Sequence, residues 1–347
     1  MRVGVYYNNN DVRLEERPVP KIGPGELLVK VIASGICGSD VLEWYRIKKA
    51  PLVLGHEITG DIVEVGADVK GYKVGERLFV SHHVPCNTCR YCLSGHQTAC
   101  NTLHSTNFDP GGFAEYLRVP QINVDRGIIR LPDDVSYDDG VFLEPLGCVV
   151  RAQRLTRLQP GQSVLVLGSG MAGLLHIALA KALGAGRIIA TDVSDFRKDA
   201  ARRFGADVVL DAKEDVPRRV REVNDGWLAD LVIVCTGAYP AFMQALKSVE
   251  RGGTVLTFAT TEPGVDLPIP ANEFWRNSIT VMPSYGAAPY DLEVALNLIR
   301  FRRVPVRDMV SHHLPLTEIA QGFKLTAQAQ TSIKVVIEPH SQKQDHG

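Results

Sequence analysis

The sequence predicts an α/β protein: a doubly wound parallel sheet joined to a β-rich domain that carries a metal lobe. Three observations predict it. Residues 1 to about 147 are short apolar runs broken by glycine and proline, such as GELLVKVIASG, GDIVEVG and GERLFV. From about Gln162 apolar strands alternate with helical periods instead. Residues 86–100, CNTCRYCLSGHQTAC, gather four of the seven cysteines.

The first zone has strand lengths and turn punctuation and few helical periods. The second opens with SVLVLGSGMAGLLHIALAKALGAGRIIATD, which holds a strand, a glycine turn, a helix and a second strand. DLVIVCTG, GTVLTFAT and SITVMPSYG supply further buried strands. Strands alternating with helices argue for a parallel sheet. LEVALNLIRF, 292–301, reads as an amphipathic helix and TSIKVVIEP returns to a strand. The last residues, SQKQDHG, are polar and expected to fray.

Composition limits the function classes. At 347 residues the chain is long enough for one to three domains with sizeable cores. Basic residues number 38 against 39 acidic ones, which leaves no electrostatic footprint for nucleic acid. No apolar stretch reaches a membrane span. The start, MRVGVYYNNND, lacks the apolar core of a signal peptide, so a cytoplasmic setting is expected. In that setting clustered cysteines are metal ligands or redox groups rather than disulfides.

Gly168, Gly170 and Gly173 form G-x-G-x-x-G between a strand and a helix, and Asp192 follows at the end of the next strand. The first glycine allows the tight turn, the second lets backbone approach a pyrophosphate, and the third lets helix and strand meet closely. The helix N-terminus offers N–H groups to phosphate. Asp192 is expected to accept from the adenosine ribose hydroxyls, which favours NAD over NADP. Arg197 stands close enough in sequence to accommodate a phosphate and blur that preference.

Cys86, Cys89, Cys92 and Cys100 can close a tetrahedral zinc shell with four thiolates, with Ser94 and Gly95 letting the chain bend back. Such a site has no open position and is structural. A C-x-x-C redox pair does not account for four cysteines. His82, His83 and His96 beside it read as solvated loop residues. A second, dispersed set comprises Cys37 in SGICGSD, His56 and Glu57 in LGHEITG, and Glu144 in FLEPLG, each beside glycine or proline. Spacing alone does not bring these loops together.

The set GELLVKV, GICGSD, LGHEITG, the four-cysteine lobe, GGFAEY, LEPLG and VLVLGSGMAG resembles the zinc-dependent medium-chain dehydrogenases over nearly the whole chain. The EPL segment places it nearer the sorbitol, threonine and sugar-alcohol branch. The resemblance implies a GroES-like catalytic domain over 1–147 with a zinc lobe at 84–101, a Rossmann domain over 148–284, and a return to the catalytic domain over 285–347. It implies a catalytic zinc held by Cys37, His56 and Glu144, besides the structural one. Glu57 is then an alternate ligand or acts through water, Cys148 a lesser substitute for Glu144, and Ser39 the hydroxyl that relays a proton. Cys235 is expected to sit near the cofactor. A homodimer or homotetramer acting on a small alcohol or polyol is implied.

Two positions depart from the family. Leu42 stands where many relatives carry histidine, and Arg151 stands where histidine follows the EPL glutamate. Arg151 reads either as a surface salt bridge or as a cation near the cleft; Trp44 and Tyr45 read as pocket lining or simple packing. The expectation is oxidation of a secondary hydroxyl in a polyol, sugar or hydroxy-amino compound with NAD. The rival readings are a zinc-independent reductase of the same superfamily, a nucleotide sensor without turnover, and a redox-sensing zinc module.

Overall fold

The computed structural model describes residues 1–341. Of the polar tail expected to fray, all but Ser341 lies outside the described residues. The chain divides into two compact units: Met1–Gly147 with Ala287–Arg300 and Val306–Gly347, and Cys148–Gly286 with Phe301–Pro305.

The first unit is built on a seven-stranded sheet that both chain ends share. Its order is Val310–Pro315, Lys334–Glu338, Leu27–Gly35, Glu57–Val65, Arg77–Ser81 and Ile128–Arg130, with Tyr116–Val119 also paired to Leu27–Gly35. Strand Leu27–Gly35 is buried on both faces, as its unbroken LLVKVIASG run demands. It pairs antiparallel with Glu57–Val65, Gly35 opposite Glu57, and with Lys334–Glu338, Val336 opposite Gly35. That register sets Glu57 and the late strand on the two flanks of Gly35. Leu27, Val29, Val31, Ile58, Ile62 and Leu78 form one fully buried core, and Val3, Tyr6, Phe113 and Phe323 anchor another.

The second unit carries a six-stranded, all-parallel sheet. Its order is Val208–Asp211, Arg187–Asp192, Ser163–Leu167, Ala229–Val234, Val249–Thr257 and Thr280–Pro283. In chain order this is 3-2-1-4-5-6, the doubly wound arrangement of the Rossmann fold. Val164 to Leu167 are fully buried, because the central strand is covered on both faces. The strand order reverses at Ser163–Leu167, so the switch point lies at its C-terminal end, where Gly168 begins. Of LEVALNLIRF, residues 292–300 lie in helix Pro289–Arg300, which belongs to the first unit and buries Leu292, Ala295, Leu296 and Ile299. Among the described residues no helix is long and apolar enough to cross a membrane.

Candidate metal centres and dinucleotide turn

The four-cysteine lobe is three short helical turns, Arg90–Leu93, Gln97–Ala99 and Asn101–Ser105. Its buried cluster is Cys92, Cys100 and Leu103, too small for an independent core. The sulfurs stand 3.9 Å (Cys86–Cys92), 3.6 Å (Cys89–Cys92) and 3.6 Å (Cys86–Cys100) apart. Four thiolates on a tetrahedron of about 2.3 Å radius lie about 3.8 Å apart, so the spacing fits zinc. The backbone prepares thiolates as well. Cys89 N–H donates to Cys86 Sγ at 3.2 Å, and Cys86 N–H to Cys100 Sγ at 3.4 Å. Donors from Thr88 and Cys89 hold the Cys86 thiol down at about 5. Burial pushes Cys92, the sulfur facing the other three, up to about 12. Four sulfurs converging at this spacing suit a cation, and a bound metal supplies the folding energy the lobe's core cannot.

The second centre forms where Leu27–Gly35 ends and Glu57–Val65 begins. Ligand atoms of Cys37, His56 and Glu57 all lie within 4.8 Å of one another. Cys37 caps the turn Gly38–Val41: its sulfur accepts from Ser39 N–H at 3.4 Å, while its own N–H donates to Asp40 Oδ2 at 3.1 Å. Asp40 is fully buried, with Oδ1 3.4 Å from His56 Nδ1. A carboxylate there orients the ring and leaves Nε2 as its other donor, a common support for a metal-ligating histidine. Burial pushes the Asp40 carboxyl up, but the charges of His56 and Arg46 more than offset this and hold it below its usual range. Burial likewise opposes charge on His56, yet Asp40 and Cys37 together raise its pKa well above the ordinary value. A spot that draws a proton so strongly is one where a cation is favoured.

Glu57 completes the group in an unusual state. Its Oε2 accepts from Lys334 Nζ at 2.5 Å, both side chains being 0% exposed. Its Oε1 is buried with no hydrogen-bond partner. Lys334 also donates to Ile36 O at 3.3 Å and lies 5.6 Å from the centre of the Phe142 ring. Gly35 makes room for the carboxylate, since a Cβ there would stand 2.2 Å from Glu57 Oε2. A carboxylate with one unpaired oxygen, grouped with a thiol and an imidazole, is a donor set that suits zinc with an open fourth position.

At the dinucleotide turn each glycine has a distinct reason. Gly168 has φ +93°. A Cβ on Gly173 would lie 2.0 Å from Gly168 O. On Gly170 it would meet nothing nearer than Arg197 Cζ at 3.9 Å, and its φ of −69° suits any residue. Nothing within the protein therefore requires glycine at 170, which leaves room there for a ligand's close approach. Asp192 Oδ2 accepts from Ser169 N–H at 2.8 Å and Oδ1 from Ser194 N–H at 2.9 Å. Arg197 Nη1 stands 3.9 Å from Asp192 Oδ2, so the acid and the guanidinium share the mouth of the turn. The residues fit a nicotinamide dinucleotide. Cys235 lies at the end of strand Ala229–Val234, its N–H donating to Leu167 O at 2.8 Å, and burial pushes its thiol up.

Several placements differ from expectation. Glu144 sits in the first turn of helix Leu143–Thr156 and is in none of the donor groups found among the described residues; Glu57 stands beside Cys37 and His56 instead. His56 and Glu57 are adjacent in one strand entry, whereas Glu144 arrives on a separate helix. His82 and His83 are half-buried rather than solvated. Their rings stack at 3.8 Å, and His82 lies 4.8 Å from the His56 ring. Burial lowers both pKa values, that of His83 to about 4. The proximity of the lobe in sequence concealed their position, since the strand Arg77–Ser81 delivers them to the Cys37 centre. His96 is exposed as expected. Arg151 is 3% exposed, so it is not a surface cation. Trp44 and Tyr45 stack on each other at 5.7 Å, and Leu42 is exposed. Asp40 and Lys334 escaped the sequence reading. Asp40 had a signal, the acid closing the CGSD turn; Lys334 had none.

The chain's likeness to known proteins agrees with this geometry. Residues 23–133 match the alcohol dehydrogenase GroES-like domain and residues 172–300 the zinc-binding dehydrogenase domain. It is 34% identical over 342 residues to "Probable D-xylulose reductase A" of Neosartorya fischeri, covering 94% of each chain. It is 34% identical to L-threonine 3-dehydrogenase of Bacillus licheniformis, covering 93% of this chain and 94% of that one. A solved zinc-binding dehydrogenase of Sinorhizobium meliloti, bound to NADP, superposes with a TM-score of 0.87 at 26% identity, covering 97% and 99% of the two chains. With two zinc-donor sets and a glycine turn at the switch point of a Rossmann sheet, the chain belongs to the zinc-containing medium-chain alcohol dehydrogenase family.

Proposed function

We propose that this zinc-dependent dehydrogenase oxidises a secondary hydroxyl of a polyol, sugar or hydroxy-amino compound to a ketone, with NAD as acceptor. The observation that carries the reading is the convergence of Cys37, His56 and Glu57 within 4.8 Å, with Glu57 Oε1 buried and unpaired. When bound, zinc supplies Lewis acidity to a substrate oxygen and the nicotinamide accepts hydride. The chain's own residues do the rest. Asp40 fixes the His56 ring, and Lys334 neutralises Oε2 of the Glu57 carboxylate while Oε1 keeps no hydrogen-bond partner. Ser39, in the Cys37 turn, is the hydroxyl proposed to pass the substrate proton on. Glu144 is kept as the alternative third donor.

Asp192 supports NAD, because a 2′-phosphate meets a like charge there; Arg197, 3.9 Å away, softens the discrimination. A solved relative is bound to NADP, which keeps NADP as the rival acceptor. Homodimer or homotetramer assembly is proposed from the strand Thr280–Pro283, which ends the parallel sheet. The test is a screen of polyols, sugars and amino alcohols with NAD and NADP, followed by absorbance of the reduced cofactor. Turnover with NAD at least tenfold better than with NADP is expected. A metal-loaded protein that oxidises none of these compounds overturns the reading.

A further inference from the structure

One cation beside the Cys37 centre is used by none of the roles above. Arg46 ends the short helix Glu43–Arg46, and its side chain is 15% exposed. Its Nε donates to Ser39 O at 3.0 Å and its Nη2 to Ser39 Oγ at 3.0 Å. The same Nη2 reaches Asp40 Oδ1 at 3.3 Å, the oxygen that stands 3.4 Å from His56 Nδ1. Its guanidinium carbon lies 4.6 Å over the Tyr45 ring, which holds the plane. A single group therefore grips both the proposed relay hydroxyl and the carboxylate that orients His56.

The chemistry of that grip is directional. Guanidinium has five donors and no acceptor, and it does not lose a proton in proteins. Ser39 Oγ must accept from Arg46, so its own hydrogen and its second lone pair point elsewhere. A proton leaving Ser39 cannot leave through Arg46. Lysine, whose three donors share one nitrogen, lacks the fork that spans Ser39 O, Ser39 Oγ and Asp40 together.

We infer that Arg46 is a positioning residue for the dehydrogenation, locking Ser39 and Asp40 in one arrangement. The inference rests on the reading of Ser39 as the relay. During oxidation the substrate C–H bond breaks, and its electron pair travels with hydrogen to the nicotinamide. The substrate O–H bond breaks as its proton passes to Ser39 Oγ, while the Ser39 proton passes to water. A ketone, the reduced cofactor and one proton result, and Arg46 exchanges nothing.

The experiment compares Arg46→Ala and Arg46→Lys with wild type in the full zinc-loaded chain. For Arg46→Ala we expect kcat to fall about 100-fold with KM changed less than about threefold, since loss of alignment costs rate rather than binding. Zinc content stays at the wild-type level, and the solvent deuterium effect on kcat grows as proton transfer becomes limiting. Millimolar guanidinium restores part of the lost kcat, and urea does not. Arg46→Lys falls between. A readout apart from turnover is the visible spectrum of cobalt-substituted protein, which shifts in Arg46→Ala as His56 loses its fixed partner. Wild-type kcat in Arg46→Ala, a loss confined to KM or zinc content, or no response to guanidinium overturns the inference. A wild-type protein without turnover on any substrate overturns the proposed function first, and this inference falls with it. An unchanged cobalt spectrum sinks the positioning of Asp40 by itself.

Discussion

Lys334→Met removes the cation that faces Glu57 and probes the centre without touching Cys37 or His56. Both side chains are 0% exposed and their charged atoms are 2.5 Å apart. At an effective dielectric near 20 their attraction is about 7 kcal/mol, much of it offset by the cost of taking two charges out of water. Deleting one partner returns none of that hydration to the other. The unfolding free energy should therefore fall by about 3–5 kcal/mol. Methionine fills most of the vacated volume, so a cavity adds little. For a unit of this size the loss corresponds to a melting point lower by about 6–20 °C. The double variant Lys334→Met/Glu57→Gln removes the stranded charge and should recover more than half of the loss. Urea unfolding followed by circular dichroism, on zinc-loaded and chelator-treated protein, measures both. A Lys334→Met variant within about 1 kcal/mol of wild type, or a double variant no better than the single, would refute the claim that a buried charge depends on this pair.

Other changes separate the sites. Gly170→Ala should leave the melting point nearly unchanged yet weaken NAD at least tenfold by titration, because its Cβ meets no protein atom within 3.9 Å; Gly173→Ala, whose Cβ would sit 2.0 Å from Gly168 O, should instead misfold the turn and show as lost melting cooperativity. Cys100→Ser should cut bound zinc from two ions to one and lower the melting point, as read by metal analysis and calorimetry. Asp192→Ala should weaken NAD more than NADP; equal losses in titrations with the two cofactors would remove the ribose assignment. His176 is fully buried in helix Met171–Ala182 beside Gln153, and burial lowers its pKa to about 3. A histidine depressed in the fold stabilises above its unfolded value near 6.5, and that stability is lost as pH falls from there toward 3. The slope is about 1.4 kcal/mol per pH unit, so His176→Gln should flatten the acid limb of an unfolding-versus-pH curve.

The sequence by itself determined what repeats locally. The apolar run SVLVL, the G-x-G-x-x-G turn and the C-x-x-C spacings each confine their physics to a dozen or so residues. A central strand, a phosphate-binding turn and a thiolate cluster could therefore be read directly. It also supplied Cys37 and His56 as candidates, because glycine-flanked polar residues stand out in apolar strands. Tertiary structure decided which of these meet. Antiparallel pairing of Lys334–Glu338 and Glu57–Val65 with Leu27–Gly35 brings a lysine nearly 300 residues away onto Glu57, and the entry to Glu57–Val65 sets Glu57 beside Cys37 and His56. Strand Arg77–Ser81 carries His82 to the His56 ring, though its neighbours in sequence belong to the cysteine lobe. The physical reason is that side-chain chemistry and local turn geometry are written along the chain, whereas the partner that neutralises a buried charge is set by sheet register between distant strands.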